Sequence, residues 1–243
     1  MIKTLGLILK KQNLGETDRI ITVLTPAFGK RRVVAKAVRR PLSKLAGHLD
    51  SLMITQLMIT DKKELPQVTS AELVEPFVNI RESLELLEQA YAVGKVAERL
   101  AQENTPQQSL FHNTVDAFSR IDEDINCLAT WLHYLYSLSK LYGVYISEFN
   151  CHDCNKEIIG EAQFSFEDRL LYHPEHAPAI KTRRLKGNSL KLLRLLHKKP
   201  YEMIAKINIP QAEAAEVEEV LLVELIENYS NASWRQYARL ARD

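Results

Sequence analysis

The chain has 243 residues, of which 46% are hydrophobic and 26% are charged, a balance that excludes wholesale disorder and fibrous repeats. The apolar run near its start, Leu5 to Leu9, is too short for a signal-peptide core or a membrane span, so we expect a soluble, cytoplasmic protein. The net charge of +1 hides a segregation: residues 1–49 carry eleven Lys and Arg against two acidic residues, whereas residues 79–150 carry five against ten. This pattern predicts that the N-terminal region faces a polyanion.

The first 76 residues predict five short strands. The third strand follows a turn signal at Pro26–Gly29, and a basic connector over 39–47 leads to the fourth strand. The predicted strands cover residues 5–9, 19–25, 30–38, 52–60 and 67–74. Because the segments between them are too short for crossover helices, we predict an antiparallel sheet that closes into a small barrel and so removes its edges.

Helical spacing begins after Pro76, with apolar residues from Ile80 to Ala97. A second helix start is predicted at Thr105 as cap, with Pro106 in the first position and Gln108 completing a capping box. Further helices are predicted over 125–143, 189–197, 210–229 and 233–242. We therefore predict a β domain over residues 1–78 and a helical domain over 79–243, with an irregular insertion at 147–182.

The insertion carries the strongest chemical signal of the sequence. Cys151 and Cys154 are followed after eighteen residues by His173 and His176, which matches the paired-knuckle spacing of zinc sites. We predict a structural zinc ion that substitutes for a missing core, since four protein ligands leave no open position for catalysis. His152 is an alternative ligand. The competing interpretations are a bare thiol pair beside two surface histidines and, less favoured, a redox thiol pair.

The second signal is a run of cations between positions 30 and 44 that contains no acidic residue. Its members are Lys30, Arg31, Arg32, Lys36, Arg39, Arg40 and Lys44. Cations at a strand end and its adjoining loop can follow phosphates, and with Phe28 as the nearest aromatic we expect phosphate contacts to dominate. The alternative is a charged edge that discourages strand pairing. The sequence contains no hydrolase, Walker, Rossmann or H-E-x-x-H motif, so we predict no enzyme and no small-molecule substrate.

The chain resembles the bacterial recombination mediator family RecO in several segments and in the order of its parts. The segments are residues 16–25 and 29–36, the pair Arg39-Arg40, and Ser43 to Leu49. The resemblance implies an α+β multidomain protein: an N-terminal OB-fold β-barrel followed by an all-α domain that carries, in many members, a four-cysteine zinc knuckle pair. His173 and His176 stand at the place of the second cysteine pair. Ala37 departs from the glycine of many members, and it would be strained if that position needs a positive φ.

The resemblance also implies an activity and partners. The activity is binding of single- and double-stranded DNA, annealing of complementary strands, and help in loading the RecA recombinase onto DNA covered by single-strand-binding protein (SSB). The partners are RecR and the acidic C-terminal tail of SSB, which implies a cytoplasmic, nucleoid-associated protein without a membrane. The seven cations of residues 30–44 are carried over as DNA contacts.

Four further cations, just after the insertion, are our candidates for the contact with the SSB tail, since such a tail needs cations beside an apolar groove. They are Lys181, Arg183, Arg184 and Lys186. Two rivals from other classes stay open: a zinc-stabilised adaptor that binds proteins without contacting DNA, and a metalloenzyme. The latter requires an open metal position, which the ligand spacing does not offer.

Overall fold

The structure, a computed structural model, describes residues 1–60, 65–123 and 126–229. The chain forms two compact units, residues 1–124 and residues 125–243. The first unit includes three helices together with the N-terminal sheet, so the compact units are divided at a different place from the predicted domains. The division at residue 78 stays a prediction about domains, and the predicted helix over 233–242 lies outside the described residues.

The first unit is built on a five-stranded sheet in which every neighbouring pair is antiparallel. Its spatial order is β3-β2-β1-β4-β5. The strands are β1 (Ile2–Leu14), β2 (Asp18–Thr25), β3 (Gly29–Ala35), β4 (Ile54–Ile59) and β5 (Val68–Glu75). The five predicted strands and their antiparallel pairing are therefore confirmed, although β1 is longer than its apolar centre indicated.

The two ends of this sheet approach each other beside β3. Val34 forms a parallel bridge with Gln67, the residue before β5, and the Val34 N–H donates to the Pro66 carbonyl at 2.8 Å. The sheet is thus strongly curled around its core. That core is apolar and includes the buried side chains of Ile8, Ile21, Val33, Leu57 and Ile59.

The helices of this unit are α1 (Val78–Glu82), α2 (Leu84–Leu100) and α3 (Gln108–Asp122). The continuous helical spacing from Ile80 is interrupted at Ser83, which is extended and caps α2 by accepting the Leu86 N–H at 3.3 Å. The Asp122 carboxylate accepts the Ile80 N–H at 2.9 Å, which joins the end of α3 to α1.

The capping box predicted at Thr105 is wrong, because α3 begins at Gln108 with Gln107 in the N-cap position. The Gln107 side chain accepts the Gln102 N–H at 2.8 Å, and the Gln107 N–H donates to the Pro26 carbonyl at 3.0 Å. Tertiary contact with the turn between β2 and β3 therefore overrides the local helix-start signal at this position.

Within residues 126–229, the second unit combines four α-helices with a three-stranded sheet of order β7-β6-β8. Its elements are α4 (Cys127–Leu141), β6 (Ala162–Ser165), β7 (Leu171–Tyr172), β8 (Thr182–Leu185), α5 (Gly187–Lys198), α6 (Tyr201–Ile204) and α7 (Gln211–Tyr229). Three of these helices match predicted ones, whereas α6 was not predicted. Among the described residues, every helix is too short or too polar to cross a membrane.

The insertion and the adjoining β8 contain buried apolar side chains. The buried side chains of Ile158, Phe164, Leu171 and Leu185 come from the turn before β6 and from all three strands. Antiparallel pairing of β6 with β7 places Phe164 opposite Leu171, and pairing of β6 with β8 places Ala162 opposite Leu185. A metal ion in this segment would therefore add to apolar burial that is already present.

Candidate metal centre and nucleic-acid interface

The four predicted zinc ligands converge in the structure. Single ligand atoms of Cys151, Cys154, His173 and His176 all lie within 4.8 Å of one another. Two Sγ–Nδ1 distances, Cys151 to His176 and Cys154 to His173, are both 3.4 Å. Ligands at zinc distances of about 2.3 Å for sulfur and about 2.0–2.1 Å for nitrogen lie roughly 3.6 Å apart at a tetrahedral angle. The donor set and its spacing thus fit one tetrahedral zinc ion.

Backbone hydrogen bonds form the first ligand turn. The Asn155 N–H donates to the Cys151 carbonyl at 2.8 Å, and the Cys151 N–H donates to the Lys156 carbonyl at 2.9 Å. Asn155 closes the turn with φ +57°, a conformation that asparagine tolerates better than most residues. This turn folds both cysteine side chains to one side.

The second ligand turn starts where β7 ends. His173 follows that strand directly, and Pro174–His176 form a single turn of 3₁₀ helix, with the His176 N–H donating to the His173 carbonyl at 3.0 Å. The two turns are joined because the His152 N–H donates to the Leu171 carbonyl at 2.9 Å. This hydrogen bond between the cysteine turn and β7 therefore holds the histidine pair beside the cysteine pair.

The electrostatics of the cluster favour the thiolate that a metal requires. Burial raises the pKa of Cys151, but N–H groups of Cys154, His173 and Asp153 and the His176 ring together lower that pKa to about 6. The Cys151 side chain in turn raises the pKa of His176 above its ordinary value, against a smaller effect of desolvation.

The alternative ligand His152 lies outside the cluster. Its side chain is exposed, and its ring packs edge-on against Tyr172 with centroids 5.8 Å apart. The structure therefore brings together the four residues of the predicted set and leaves His152 as a neighbour.

The basic run divides into two groups, of which the first is engaged within its own unit. The Lys30 ammonium donates to the Glu98 carbonyl at 3.1 Å, and the Arg31 guanidinium donates to Asn104 at 2.7 Å while lying 5.8 Å from the Phe28 ring centroid. These contacts attach β3 to the end of α2 and to the segment after it.

The second group is exposed to solvent and follows the chain from β3 into the connector, and one of its members, Arg39, also donates from its guanidinium to the Gly15 carbonyl at 3.1 Å. It comprises Arg32, Lys36, Arg39, Arg40 and Lys44. Asp18 lies beside these cations, and its carboxylate accepts the Ala37 N–H at 2.8 Å. That hydrogen bond, assisted by Thr17 and by the charges of Lys36 and Arg40, lowers the pKa of Asp18.

The four cations after the insertion lie on β8 and its flanks, facing carboxylates. Arg183 pairs with Glu219 at 2.6 Å and Lys186 with Glu216 at 3.1 Å, both acids being on α7, while Arg184 pairs with Glu161. The Lys181 ammonium lies 5.2 Å from the Phe166 ring centroid. An SSB tail would therefore have to compete with acidic groups of the protein itself.

One buried ion pair was missed by the sequence reasoning. The side chain of Glu224, only 4% exposed, pairs with Arg169 at 2.8 Å. A single glutamate inside the apolar run of α7 was a usable signal, because a buried carboxylate requires a cationic partner. The position of that partner, 55 residues earlier, had no signal in the sequence.

The molecule thus belongs to a class of mixed α+β proteins in which an N-terminal antiparallel sheet precedes a helical region that carries a Cys2His2 cluster. Residues 1–77 match the family model described as Recombination protein O N terminal, and residues 81–234 match the one described as Recombination protein O C terminal. The chain belongs to the RecO family.

Curated relatives agree with this assignment. A Synechococcus sp. (strain JA-3-3Ab) protein is 36% identical over 66% of this chain, which spans 57% of that relative's length. A Roseiflexus sp. (strain RS-1) protein is 29% identical over 90% of this chain and 78% of its own length. A Dehalococcoides mccartyi (strain ATCC BAA-2266 / KCTC 15142 / 195) protein is 25% identical over 89% of this chain and 86% of its own. All three are named DNA repair protein RecO.

Proposed function

We propose that the protein is a DNA repair and recombination mediator whose exposed cations between Arg32 and Lys44 bind the phosphates of single- and double-stranded DNA. The observation that carries this proposal is the exposure of five cations along one continuous segment in a chain whose net charge is only +1. The names of its relatives, DNA repair protein RecO, support the biological role.

The mechanism that we propose is electrostatic and requires no nucleotide hydrolysis. Each cation that contacts a phosphate releases a condensed counterion, so affinity falls steeply with salt and does not depend on base sequence. Two strands on one cationic face are screened from each other and can search for complementary pairing. The protein would in this way anneal strands and, with RecR, help load recombinase onto SSB-coated DNA, acting as a mediator and not as a catalyst.

The Cys2His2 cluster would hold a structural zinc ion in this proposal. The metal would cross-link the turn before β6 to the turn after β7, using Cys151 and Cys154 from one turn and His173 and His176 from the other. We assign it no catalytic step, because four protein side chains complete a tetrahedral shell.

For the SSB tail we propose the surface around Lys181, Arg183, Arg184 and Lys186. Exchange of partners would drive this contact, since tail carboxylates would replace Glu219 and Glu216 as acceptors for Arg183 and Lys186. Such an exchange conserves the number of ion pairs, and we therefore expect the interaction to be weak and salt-sensitive.

The competing proposal is a zinc-stabilised adaptor that binds proteins without contacting DNA. A titration of labelled single-stranded DNA at several salt concentrations separates the two. We expect tight binding at low salt that is lost as salt rises, and absence of binding even at low salt would favour the adaptor.

The double variant Arg39→Glu/Arg40→Glu locates the contact. If both arginines contact phosphates, the slope of log K against log salt becomes shallower by about 1.4, at about 0.7 per phosphate of a single strand. The matched control is Lys95→Glu/Lys191→Glu, which changes the net charge equally at exposed helix positions. An equal loss of affinity in both variants would assign binding to overall charge and remove the contact from residues 39 and 40.

A further inference from the structure

Leu42 is the most exposed large apolar side chain among the described residues, at 95%. It lies in the middle of the basic connector, between Arg40 and Lys44. Every charged residue between positions 30 and 44 is a cation. Surface leucines are common singly, so exposure alone has no functional meaning. The relevant feature is that this leucine is displayed at the centre of the surface that we propose for DNA.

The connector holds Leu42 in an ordered turn. The Arg40 N–H donates to the Ala37 carbonyl at 3.2 Å, and the Ser43 N–H donates to the Arg40 carbonyl at 3.0 Å. The buried side chains of Val38 and Leu49 anchor the two ends of the segment in the core of the sheet. The leucine is therefore presented outward by the fold itself, which limits the entropy lost when a partner binds it.

A partner for this surface must combine negative charge with an accessible apolar face. Single-stranded DNA does so, because its bases are free to unstack from one another beside the phosphates. In a duplex the base faces are covered by their neighbours, so a leucine gains contact there only after bases are separated. An anionic membrane also combines the two properties, but one leucine buries far too little apolar area for stable anchoring.

We propose that Leu42 packs against the face of an unstacked base while the neighbouring cations hold the phosphates, which gives the protein a preference for single-stranded over double-stranded DNA. This inference rests on the proposed DNA binding and adds a base contact to it. The contact is independent of base identity, since every base presents an apolar face.

The test compares wild type with Leu42→Ser on three probes: a labelled oligothymidine, the same strand built from abasic nucleotides, and a duplex of equal length. Full burial of a leucine corresponds to about a ten- to hundredfold change in affinity, and packing against one face of a base buries only part of the side chain. We expect Leu42→Ser to lose about tenfold on the oligothymidine and nothing on the abasic strand, with an unchanged salt slope. The control is Leu84→Ser, at a leucine that is 73% exposed on α2, and it should bind all three probes as wild type does.

The outcomes separate the two levels of the proposal. Equal losses of affinity on the oligothymidine and the abasic strand would mean that the substitution alters the phosphate-binding loop. Unchanged binding to all three probes would mean that Leu42 makes no contact. Either result overturns the base contact. Failure of the wild type to bind any strand would overturn the proposed function, and the base contact with it. Leu42-dependent binding to phosphatidylglycerol vesicles, with unchanged binding to DNA, would assign the residue to a membrane instead.

Discussion

Ala37 shows how one backbone conformation creates a stability difference that side-chain contacts do not reveal. Its φ is +53°, in the left-handed region, where residues with a Cβ are about 1–2 kcal/mol less stable than glycine. Part of that strain is offset by the lower entropy of the unfolded alanine chain. We therefore expect Ala37→Gly to raise the free energy of unfolding by about 0.5–1 kcal/mol in urea titrations.

The control for this prediction is Ala35→Gly, two residues earlier in β3. Ala35 is fully buried in an ordinary strand, so glycine there should destabilise the protein through lost packing and gained backbone entropy. Destabilisation by both substitutions would show that residue 37 does not have a left-handed conformation in solution.

His197 is a partly buried titratable residue whose charge opposes folding. It lies 2.8 Å from the Tyr136 hydroxyl, and its ring stacks against Tyr145. Burial first, and then the charges of Lys140 and Lys198, lower the pKa of His197. A histidine with a lowered pKa contributes its stability fully above the unfolded pKa, and that stability is lost as the pH falls through about 6.5 towards the folded pKa.

We therefore expect the free energy of unfolding to decrease below about pH 6.5, and to decrease less in His197→Gln, which cannot be protonated there. The measurement is the difference between the two proteins in urea titrations across that range, because the difference cancels groups that titrate in both. Parallel curves would contradict a role for His197. Lysine substitutions would not serve as well, since Lys140 and Lys198 only add to the effect of burial.

At the scale of elements, the turn between β2 and β3 packs on the segment between α2 and α3. Gly29 has φ +59°, and a Cβ there would lie 2.3 Å from the Thr105 carbonyl oxygen and 2.5 Å from that of Gln102. Those atoms belong to the backbone, so they cannot move aside without breaking the contact. We expect Gly29→Ala to lower the free energy of unfolding by about 2–4 kcal/mol, from strain and clash together.

Gly15 provides the matched control. Its φ is also +59°, but nothing lies within 4 Å of the position of its Cβ. Gly15→Ala should therefore lower the free energy of unfolding only through the unfavourable backbone conformation, by about 1 kcal/mol. If the two variants lose equal stability, the turn at Gly29 does not pack on residues 102–107 in solution.

The two ligand turns of the insertion form a second element whose stability depends on conditions. Histidine must be neutral to bind zinc, so acid should release the metal below about pH 6, earlier than from a site with four cysteines. We expect Zn²⁺ measured after dialysis to fall across this range, and to remain bound to lower pH in His173→Cys/His176→Cys. Full retention by the wild type at about pH 5 would argue against histidine ligands.

At the scale of the whole molecule, the sequence predicted elements well and tertiary placement poorly. β-branched residues identified β2, and helical spacing identified α4, because these patterns suit a pleated strand and a helix that buries one stripe. The predicted start of α3 was wrong because the helix begins next to Gln107, whose N–H donates to the carbonyl of Pro26, 81 residues earlier. Pairing of β8 cations with α7 acids likewise depends on chain segments whose proximity only the fold creates.

The two candidate sites also differ in how much of each could be predicted from the sequence. The Cys2His2 cluster was predictable because its ligands are close in sequence and the chemistry of four such donors is specific. The cationic surface was predictable as a run, but the division between engaged residues such as Lys30 and exposed ones such as Lys36 was not. That division follows the position of α2 and its C-terminal segment.

The segregation of charge along the chain leads to a prediction about strand annealing. A near-neutral molecule does not attract DNA by its total charge, so two strands must share the same local set of cations. We expect annealing of complementary labelled oligonucleotides, followed by energy transfer without nucleotide, to peak at limiting protein and to fall when excess protein coats each strand separately. Arg39→Glu/Arg40→Glu should reduce the annealing rate more than single-strand affinity, because both strands lose contacts. A rate that increases steadily with protein, or that is unchanged in this variant, would mean that the strands meet elsewhere.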